Sequence, residues 1–138
     1  MVKFLSDEWI KIAKDVVTKK LDPVKDLKNT TASLLNVINN VPPDGKTFYF
    51  YISVKDGNIE EMLAGQNNSF LAKNAEFAVT GNYSTFVQII QGEISTFIAL
   101  IKNRVSIKGD KSKAMQFVKP IDKLNACLRE IETEYEEV

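Results

Sequence analysis

The segment from Glu76 to Asp110 constrains the fold most strongly, because its pattern changes from strand to helix and back to strand. Residues 76–80 alternate between apolar and other side chains, which is the period-2 pattern of a half-buried strand. Apolar residues then recur at helical spacing in two runs, 86–90 and 94–101. Alternation returns at 105–108. The segment therefore predicts a strand, two short helices and a second strand.

The two predicted helices carry more apolar side chains than one core-facing stripe requires. Val87 and Leu100 lie off the main stripes, so each helix is apolar over a wide arc. In a small protein this predicts simple core burial, an oligomer contact, or the wall of an internal apolar cavity. The helical pattern by itself leaves these three interpretations open.

The order T-G-N-Y-x-x-F, then G-E, then an apolar helix and V-x-I-K-G-D resembles the sterol carrier protein-2 family. The residues that carry this resemblance are Thr80, Gly81, Tyr83, Phe86, Gly92, Glu93, Ile107, Lys108, Gly109 and Asp110. Weaker similarity extends over most of the chain, so the resemblance implies one domain spanning residues 1–138. It also implies an apolar tunnel between a sheet and its helices.

The segments before this region predict two helices and a hairpin. Ser6 is a suitable cap for a first helix, and Asp22-Pro23 suits the start of a short second helix that runs to about Lys28. Residues 30–40 fit a helix as readily as a strand; we predict a strand, because a hairpin partner follows and the resemblance implies one. Residues 47–54 and 58–63 predict two antiparallel strands joined at Asp56-Gly57.

The carboxyl-terminal segment predicts two further helices separated by a proline. Asp110 caps a helix from Lys111 to about Val118, and Pro120 is expected to break it. A last helix follows, with an apolar stripe from Ile121 to Tyr135. The predicted fold class is α+β: a mainly antiparallel five-stranded sheet covered on one side by helices, with an apolar cavity between them.

Composition argues against several function classes. The 18 basic and 18 acidic residues balance, and only two of the basic residues are arginines, so we expect no nucleic-acid partner. The chain has no histidine, which removes the commonest general base and the usual zinc ligand. We therefore predict a protein that is not an enzyme, with no catalytic residues, no metal and no cofactor. Glu60-Glu61 is interpreted as solvated charge, because strand neighbours point to opposite faces.

The single cysteine and the chain ends suggest a cytoplasmic location. Cys127 cannot form an internal disulfide, which fits a reducing compartment, and we interpret it as a small buried apolar side chain. The amino terminus has no apolar run of signal-peptide length. The peroxisomal tripeptide that often ends eukaryotic members of the similar family is absent.

The functional hypothesis, which the family resemblance implies, is non-enzymatic binding and intracellular transfer of a fatty acid, fatty acyl-CoA, isoprenoid or sterol-like lipid. Its predicted partners are this hydrophobic ligand and, transiently, a membrane. The locally basic segment 102–123 is interpreted either as an ordinary solvated surface or as a collar near a cavity mouth that meets anionic headgroups or the phosphates of an acyl carrier. The alternative is an interaction domain that forms a homodimer or recruits an enzyme without carrying lipid. The predicted ligand-binding residues are Phe48, Phe50, Ile52, Phe86, Ile89, Ile90, Phe97, Ile98, Ile101, Met115 and Phe117.

Overall fold

The computed structural model describes residues 1–136, which form seven strands, four α-helices and one 3₁₀ helix. Their bounds in chain order are β1 (Val2–Lys3), α1 (Asp7–Lys20), β2 (Ala32–Val41), β3 (Lys46–Lys55), β4 (Asn58–Gly65), the 3₁₀ helix (Asn68–Lys73), β5 (Phe77–Asn82), α2 (Tyr83–Gln91), α3 (Thr96–Ile101), β6 (Val105–Lys108), α4 (Lys111–Leu128) and β7 (Thr133–Glu134).

Five strands form the main sheet in the order β4-β3-β2-β5-β6. Three of its four strand pairs are antiparallel, and β2 with β5 is parallel. This confirms the predicted mainly antiparallel five-stranded sheet and the α+β class. The strand prediction for residues 30–40 is also confirmed, since β2 occupies the centre of the sheet. A separate parallel pair, β1 with β7, joins the two ends of the described chain.

The helices pack on one face of the sheet, as predicted. On β3, Phe50, Ile52 and Val54 belong to the large core that includes all four α-helices. The alternate residues Tyr49 and Tyr51 face the other way, as the period-2 pattern predicts, and form a smaller apolar cluster. The 3₁₀ helix covers that second face, where its Phe70 ring stacks on Tyr49 at 6.0 Å between centroids. The main core therefore lies between the sheet and the α-helices.

Helix α1 is fixed at its start and along its inner face. The Ser6 side chain accepts a hydrogen bond from the Trp9 backbone N–H, which confirms the predicted cap. Trp9, Ala13 and Val17 are fully buried at helical spacing. The Trp9 indole N–H donates to Thr133 Oγ1 at 3.0 Å, so the carboxyl-terminal strand is tied to the first helix.

The second short helix predicted at Asp22 is wrong: the segment forms successive turns. Asp22 Oδ1 does accept from the backbone N–H of Val24 and Lys25, as a helix cap would. However, Lys28 and Asn29 have φ values of 54° and 53°, which lie in the left-handed region. The right-handed winding therefore stops after about one turn, and the segment does not form a helix.

The predicted break at Pro120 is also wrong, because α4 runs continuously from Lys111 to Leu128. Proline removes the donor that would bind the carbonyl of Gln116, but Gln116 is exposed and water can hydrate that carbonyl. The helix then ends at Leu128 rather than continuing to Tyr135. Residues 133 and 134 instead pair with β1, which the apolar spacing could not reveal.

We expect Gly57→Ala to destabilise the fold more than Gly45→Ala. Both glycines have positive φ, 80° and 72°, so each substitution brings a left-handed strain of about 1–2 kcal/mol. At Gly57 an added Cβ would also lie 2.2 Å from the Pro23 carbonyl oxygen, whereas nothing lies within 4 Å at Gly45. Urea unfolding should give Gly57→Ala an additional loss of about 2 kcal/mol. Equal losses would contradict the close packing of the hairpin turn on the Pro23 segment.

Candidate functional site

A small cavity lies between the helix-facing side of the sheet and helices α2, α3 and α4. Its volume is about 50 Å³. Strands β2, β3 and β5 supply one wall, and the helices and the turn before β2 supply the others. The lining residues are Phe4, Leu27, Thr30, Leu34, Asn36, Ile38, Phe50, Ile52, Val54, Val79, Phe86, Ile89, Ile90, Thr96, Phe117, Pro120, Ile121, Leu124 and Asn125.

The lining is almost entirely apolar. Its polar members are Thr30, Asn36, Thr96 and Asn125, and none of the lining residues is ionisable. Asn36 Nδ2 donates to the Phe50 carbonyl at 3.1 Å, and the Thr30 hydroxyl donates to the Leu27 carbonyl. A lining of this kind is compatible with a hydrocarbon ligand and offers few polar contacts.

The cavity is smaller than the ligands that such a lining suits. A water molecule occupies about 30 Å³ of liquid volume, and pockets for drug-sized ligands measure about 300–1,000 Å³. The 50 Å³ of empty space observed here is well below that range, because the lining side chains occupy most of the region between the sheet and the helices. A lipid chain can therefore occupy this site only if wall residues or helices move outward.

Larger depressions occur elsewhere but have a different character. One of about 760 Å³ lies on the surface between α1 and β4 and includes Asp7, Lys11 and Asp15. Another of about 240 Å³ lies beside Pro42-Pro43 and includes Phe48 and charged residues. Their charged rims make them less suitable for an apolar chain than the cavity between sheet and helices.

The structure brings together about half of the predicted ligand-binding residues. Those in the cavity lining are Phe50, Ile52, Phe86, Ile89, Ile90 and Phe117. Outside this lining are Phe48, Phe97, Ile98, Ile101 and Met115. The second group lies outside the lining of this ligand-free cavity, and whether any of the eleven residues contacts a ligand stays a prediction.

The rotation of α3 explains most of this difference. Thr96 and Ala99 are its buried residues, while Phe97, Ile98 and Ile101 are 40%, 38% and 59% exposed. Ser95 caps the helix, and the Thr96 N–H donates to Asp122 Oδ1 on α4 at 3.3 Å. These bonds fix the helix so that its small and polar side faces inward and its apolar side faces outward. The apolar pattern predicted the reverse.

Two other placements have simple geometric reasons. Met115 follows the buried Ala114 on α4 and points outward, with 49% exposure. Phe48 lies on the helix side of β3 near its start, beside Pro42 and Pro43, and lines the neighbouring depression instead.

Several lining residues were not predicted. Ile121 and Leu124 belong to the apolar stripe of the last predicted helix, so their spacing was a usable signal. Thr96 and Asn125 gave none, because a polar side chain in an apolar cavity is unrecognisable from spacing alone. Pro120 reaches the lining because α4 continues through it.

Cys127 behaves as the sequence predicts. It is buried on α4 and is 6% exposed. Burial raises the pKa of its thiol, and the negative charge of Glu130 adds to this. A raised pKa lowers the thiolate fraction, so the thiol is poorly suited to nucleophilic chemistry.

Residues 1–136 contain no cluster of three or more acidic, cysteine or histidine side chains placed to hold a metal ion. Within the same range, the helices are too short or too polar to cross a membrane.

The profile of the SCP-2 sterol transfer family matches residues 14–122 of the chain. The chain belongs to this family. The match spans the hairpin, the central strand–helix–strand segment and most of α4, which together surround the cavity. The family resemblance carried by residues 80–110 is thereby confirmed.

Several solved structures share this fold. A solution structure of a conserved hypothetical protein from Thermus thermophilus, described as possibly a sterol carrier protein, superposes with a TM-score of 0.79 at 14% identity, covering 97% of this chain and 93% of that one. A crystal structure of sterol carrier protein 2 superposes with a TM-score of 0.76 at 16% sequence identity, covering 94% of this chain and 99% of that one. The NMR structure of palmitated SCP2L2 from Aedes aegypti superposes with a TM-score of 0.57 at 14% sequence identity. It covers 88% of this chain and 95% of that one. At these identities the likeness shows the fold alone. No curated protein matches the chain significantly.

Proposed function

We propose that this protein binds an apolar lipid chain between its sheet and helices and transfers it between membranes or to enzymes. The observation that carries this proposal is the cavity, whose lining is apolar except for four residues and contains no ionisable group. The family supports lipid binding and transfer in general. One relative with the same fold is described as palmitated, which supports an acyl chain as ligand.

The energetics favour a ligand that opens the cavity. Each methylene moved from water into an apolar environment contributes roughly 0.8 kcal/mol, so a long chain gains several kcal/mol without polar contacts. That gain offsets the cost of separating packed wall residues. Helix α3 is the element best placed to move, since it is six residues long and buries only Thr96 and Ala99.

The absence of ionisable groups from the lining supports binding rather than catalysis. General acid or base chemistry needs a titratable group within hydrogen-bonding reach of the substrate, and an apolar chain in this cavity meets none. The proposed role is therefore non-enzymatic. The single cysteine, Cys127, remains our basis for expecting a reducing, intracellular location.

The outward face of α3 and α4 supports transient contact with an anionic membrane. Phe97, Ile98 and Ile101 project from α3. On α4, exposed Met115 has Lys111 and Lys119 one turn before and after it on the same helix face. Apolar side chains bordered by lysines are typical of surfaces that enter the lipid headgroup region. We call Phe97, Ile98, Ile101 and Met115 the apolar face.

We expect the double substitution Phe97→Glu and Ile101→Glu to weaken binding to anionic vesicles by at least about tenfold. It removes apolar side chains that would be buried in the membrane and adds negative charge near acidic lipid. Cosedimentation with phosphatidylcholine vesicles, with and without phosphatidylglycerol, measures this effect. The control is Leu71→Glu, which alters a 58% exposed side chain on the 3₁₀ helix across the sheet. That variant should bind as the unchanged protein does.

Two outcomes would contradict membrane contact through the apolar face. Equal losses in the Leu71 control would indicate a general charge effect. The second is a change of oligomeric state, measured by sedimentation equilibrium. If the unchanged protein is a dimer and the double variant is a monomer, a second copy of the chain covers this face, as the alternative interaction-domain hypothesis predicts.

Lipid carriage is tested by native mass spectrometry of the purified protein, followed by organic extraction. We expect an added mass that matches an extracted lipid, or complex formation after incubation with a long-chain lipid. A protein that stays bare under both conditions would favour the interaction domain.

A further inference from the structure

The hydroxyl of Thr96 has no partner inside the protein. Among the residues of 1–136, Thr96 Oγ1 is the one buried side-chain polar atom without a hydrogen bond. Thr96 is 8% exposed and lines the cavity. An unsatisfied buried hydroxyl destabilises a protein, so such a group in a native fold calls for an explanation, and a bound water or ligand atom is one.

Two of the other three polar residues of the cavity, Thr30 and Asn36, differ from Thr96 in having hydrogen-bond partners within the protein. The hydroxyl of Thr30 and the amide of Asn36 bind the backbone carbonyls of Leu27 and Phe50. Asn125 lies on α4 three residues after Asp122, which is the residue that accepts from the Thr96 N–H. Residues three apart share a helix face, so Asn125 is placed on the side of α4 that faces Thr96.

The charges around Thr96 select the kind of ligand atom that fits. The Asp122 carboxylate is held at the Thr96 backbone, 3.3 Å from its N–H, and no lysine or arginine lines the cavity. A buried carboxylate of a ligand would have no cation to pair with and would be repelled by Asp122. A neutral oxygen avoids both costs, and a threonine hydroxyl both donates and accepts hydrogen bonds.

We propose that Thr96 Oγ1 binds a neutral hydroxyl or carbonyl oxygen of the lipid in the cavity. The site thereby selects uncharged lipids, such as alcohols or esters, over lipids that would place an ionised carboxylate at this point. This inference rests on the proposed function, since it names the polar contact of the same ligand.

The test compares three probes that share a twelve-carbon chain: 1-dodecanol, dodecane and dodecanoate. Binding to the full chain is followed by the fluorescence of Trp9, the only tryptophan, whose ring contacts the cavity residue Phe50 at 5.7 Å between centroids. We expect Thr96→Val to lose about fivefold in affinity for dodecanol, the value of one hydrogen bond, with dodecane affinity unchanged. The unchanged protein should bind dodecanoate more weakly than dodecanol at a pH where the carboxylate is ionised.

Matched variants separate the contact from general packing. Thr30→Val alters a lining hydroxyl that already has a partner, so it should leave the ratio of dodecanol to dodecane affinity unchanged. Thr96→Ser keeps the hydroxyl and should retain dodecanol affinity. Ligand-free Thr96→Val should unfold at a higher temperature than the unchanged protein, because valine has no hydroxyl to bury.

The outcomes distinguish this inference from the proposed function. If the unchanged protein binds none of the three chains, lipid binding fails and the Thr96 site fails with it. If it binds them and Thr96→Val binds dodecanol equally well, or if dodecanoate binds as tightly as dodecanol, only the Thr96 site is overturned.

Discussion

Replacing Trp9 with alanine is expected to lower the free energy of unfolding by about 3–5 kcal/mol, the range for removing a fully buried aromatic side chain. Trp9 is 0% exposed. Its ring makes edge contacts with Phe4 and Phe50, at 5.0 and 5.7 Å between centroids. Its indole N–H also holds Thr133, so the substitution loosens the contact between α1 and the carboxyl-terminal strand.

Urea unfolding followed by circular dichroism measures this loss; fluorescence would not serve, since Trp9 is the only tryptophan. The matched variant Trp9→Phe keeps most of the apolar volume and gives up the indole hydrogen bond. Its loss should be smaller, with about 1 kcal/mol of it due to the hydrogen bond. A loss below about 1 kcal/mol in Trp9→Ala would be inconsistent with full burial, because cavity creation alone costs more than that.

The second large effect is expected from filling the cavity. Ile121 is a partly buried lining residue on α4, so a tryptophan there can turn its ring into the cavity without replacing a fully buried side chain. Displacing three or four methylenes of the ligand costs about 3 kcal/mol, so Ile121→Trp should weaken lipid binding by roughly a hundredfold. Leu71→Trp, on the 3₁₀ helix at the far side of the sheet, should leave lipid affinity unchanged.

The opposite change enlarges the same space. Phe117 lines the cavity from α4, and its ring lies 5.9 Å from that of Phe77. Phe117→Ala should destabilise the ligand-free protein and bind a long-chain lipid more tightly, because the chain fills the space that the ring leaves. Titration with a fluorescent lipid measures both variants. Equal affinities in the filled and the enlarged variant would show that the lipid binds elsewhere.

Much of the fold could be predicted because local patterns and tertiary contacts agree. The alternation at Phe48 to Val54 and the Asp56-Gly57 turn specify β3 and β4 without reference to the rest of the chain. The caps at Ser6 and Asp110 fix the starts of α1 and α4 in the same local way.

The errors occur where distant contacts decide the structure. Continuation of α4 through Pro120 depends on exposure of Gln116 and burial of Pro120, which no local pattern shows. Pairing of Thr133 with Val2 requires the two ends of the described chain to meet. The turns at Lys28 and Asn29 depend on left-handed φ values at two successive residues, and lysine rarely adopts such values.

The cavity was predictable in part for the same reason. Residues of β3 and α2 alternate or recur regularly, so their inward side follows from periodicity. Helix α3 is six residues long, less than two turns, and its rotation is set by the bond between Thr96 and Asp122 rather than by its apolar residues. Those apolar residues consequently lie on the apolar face and not in the predicted cavity wall.

The most direct test of the central claim is to locate a bound lipid by NMR with labelled isoleucine methyl groups. Isoleucines sample both candidate surfaces: Ile52, Ile89 and Ile90 line the cavity, whereas Ile98 and Ile101 belong to the apolar face. We expect intermolecular nuclear Overhauser effects from the chain of bound dodecanol to the three cavity methyl groups. Contacts confined to Ile98 and Ile101 would contradict binding between the sheet and the helices.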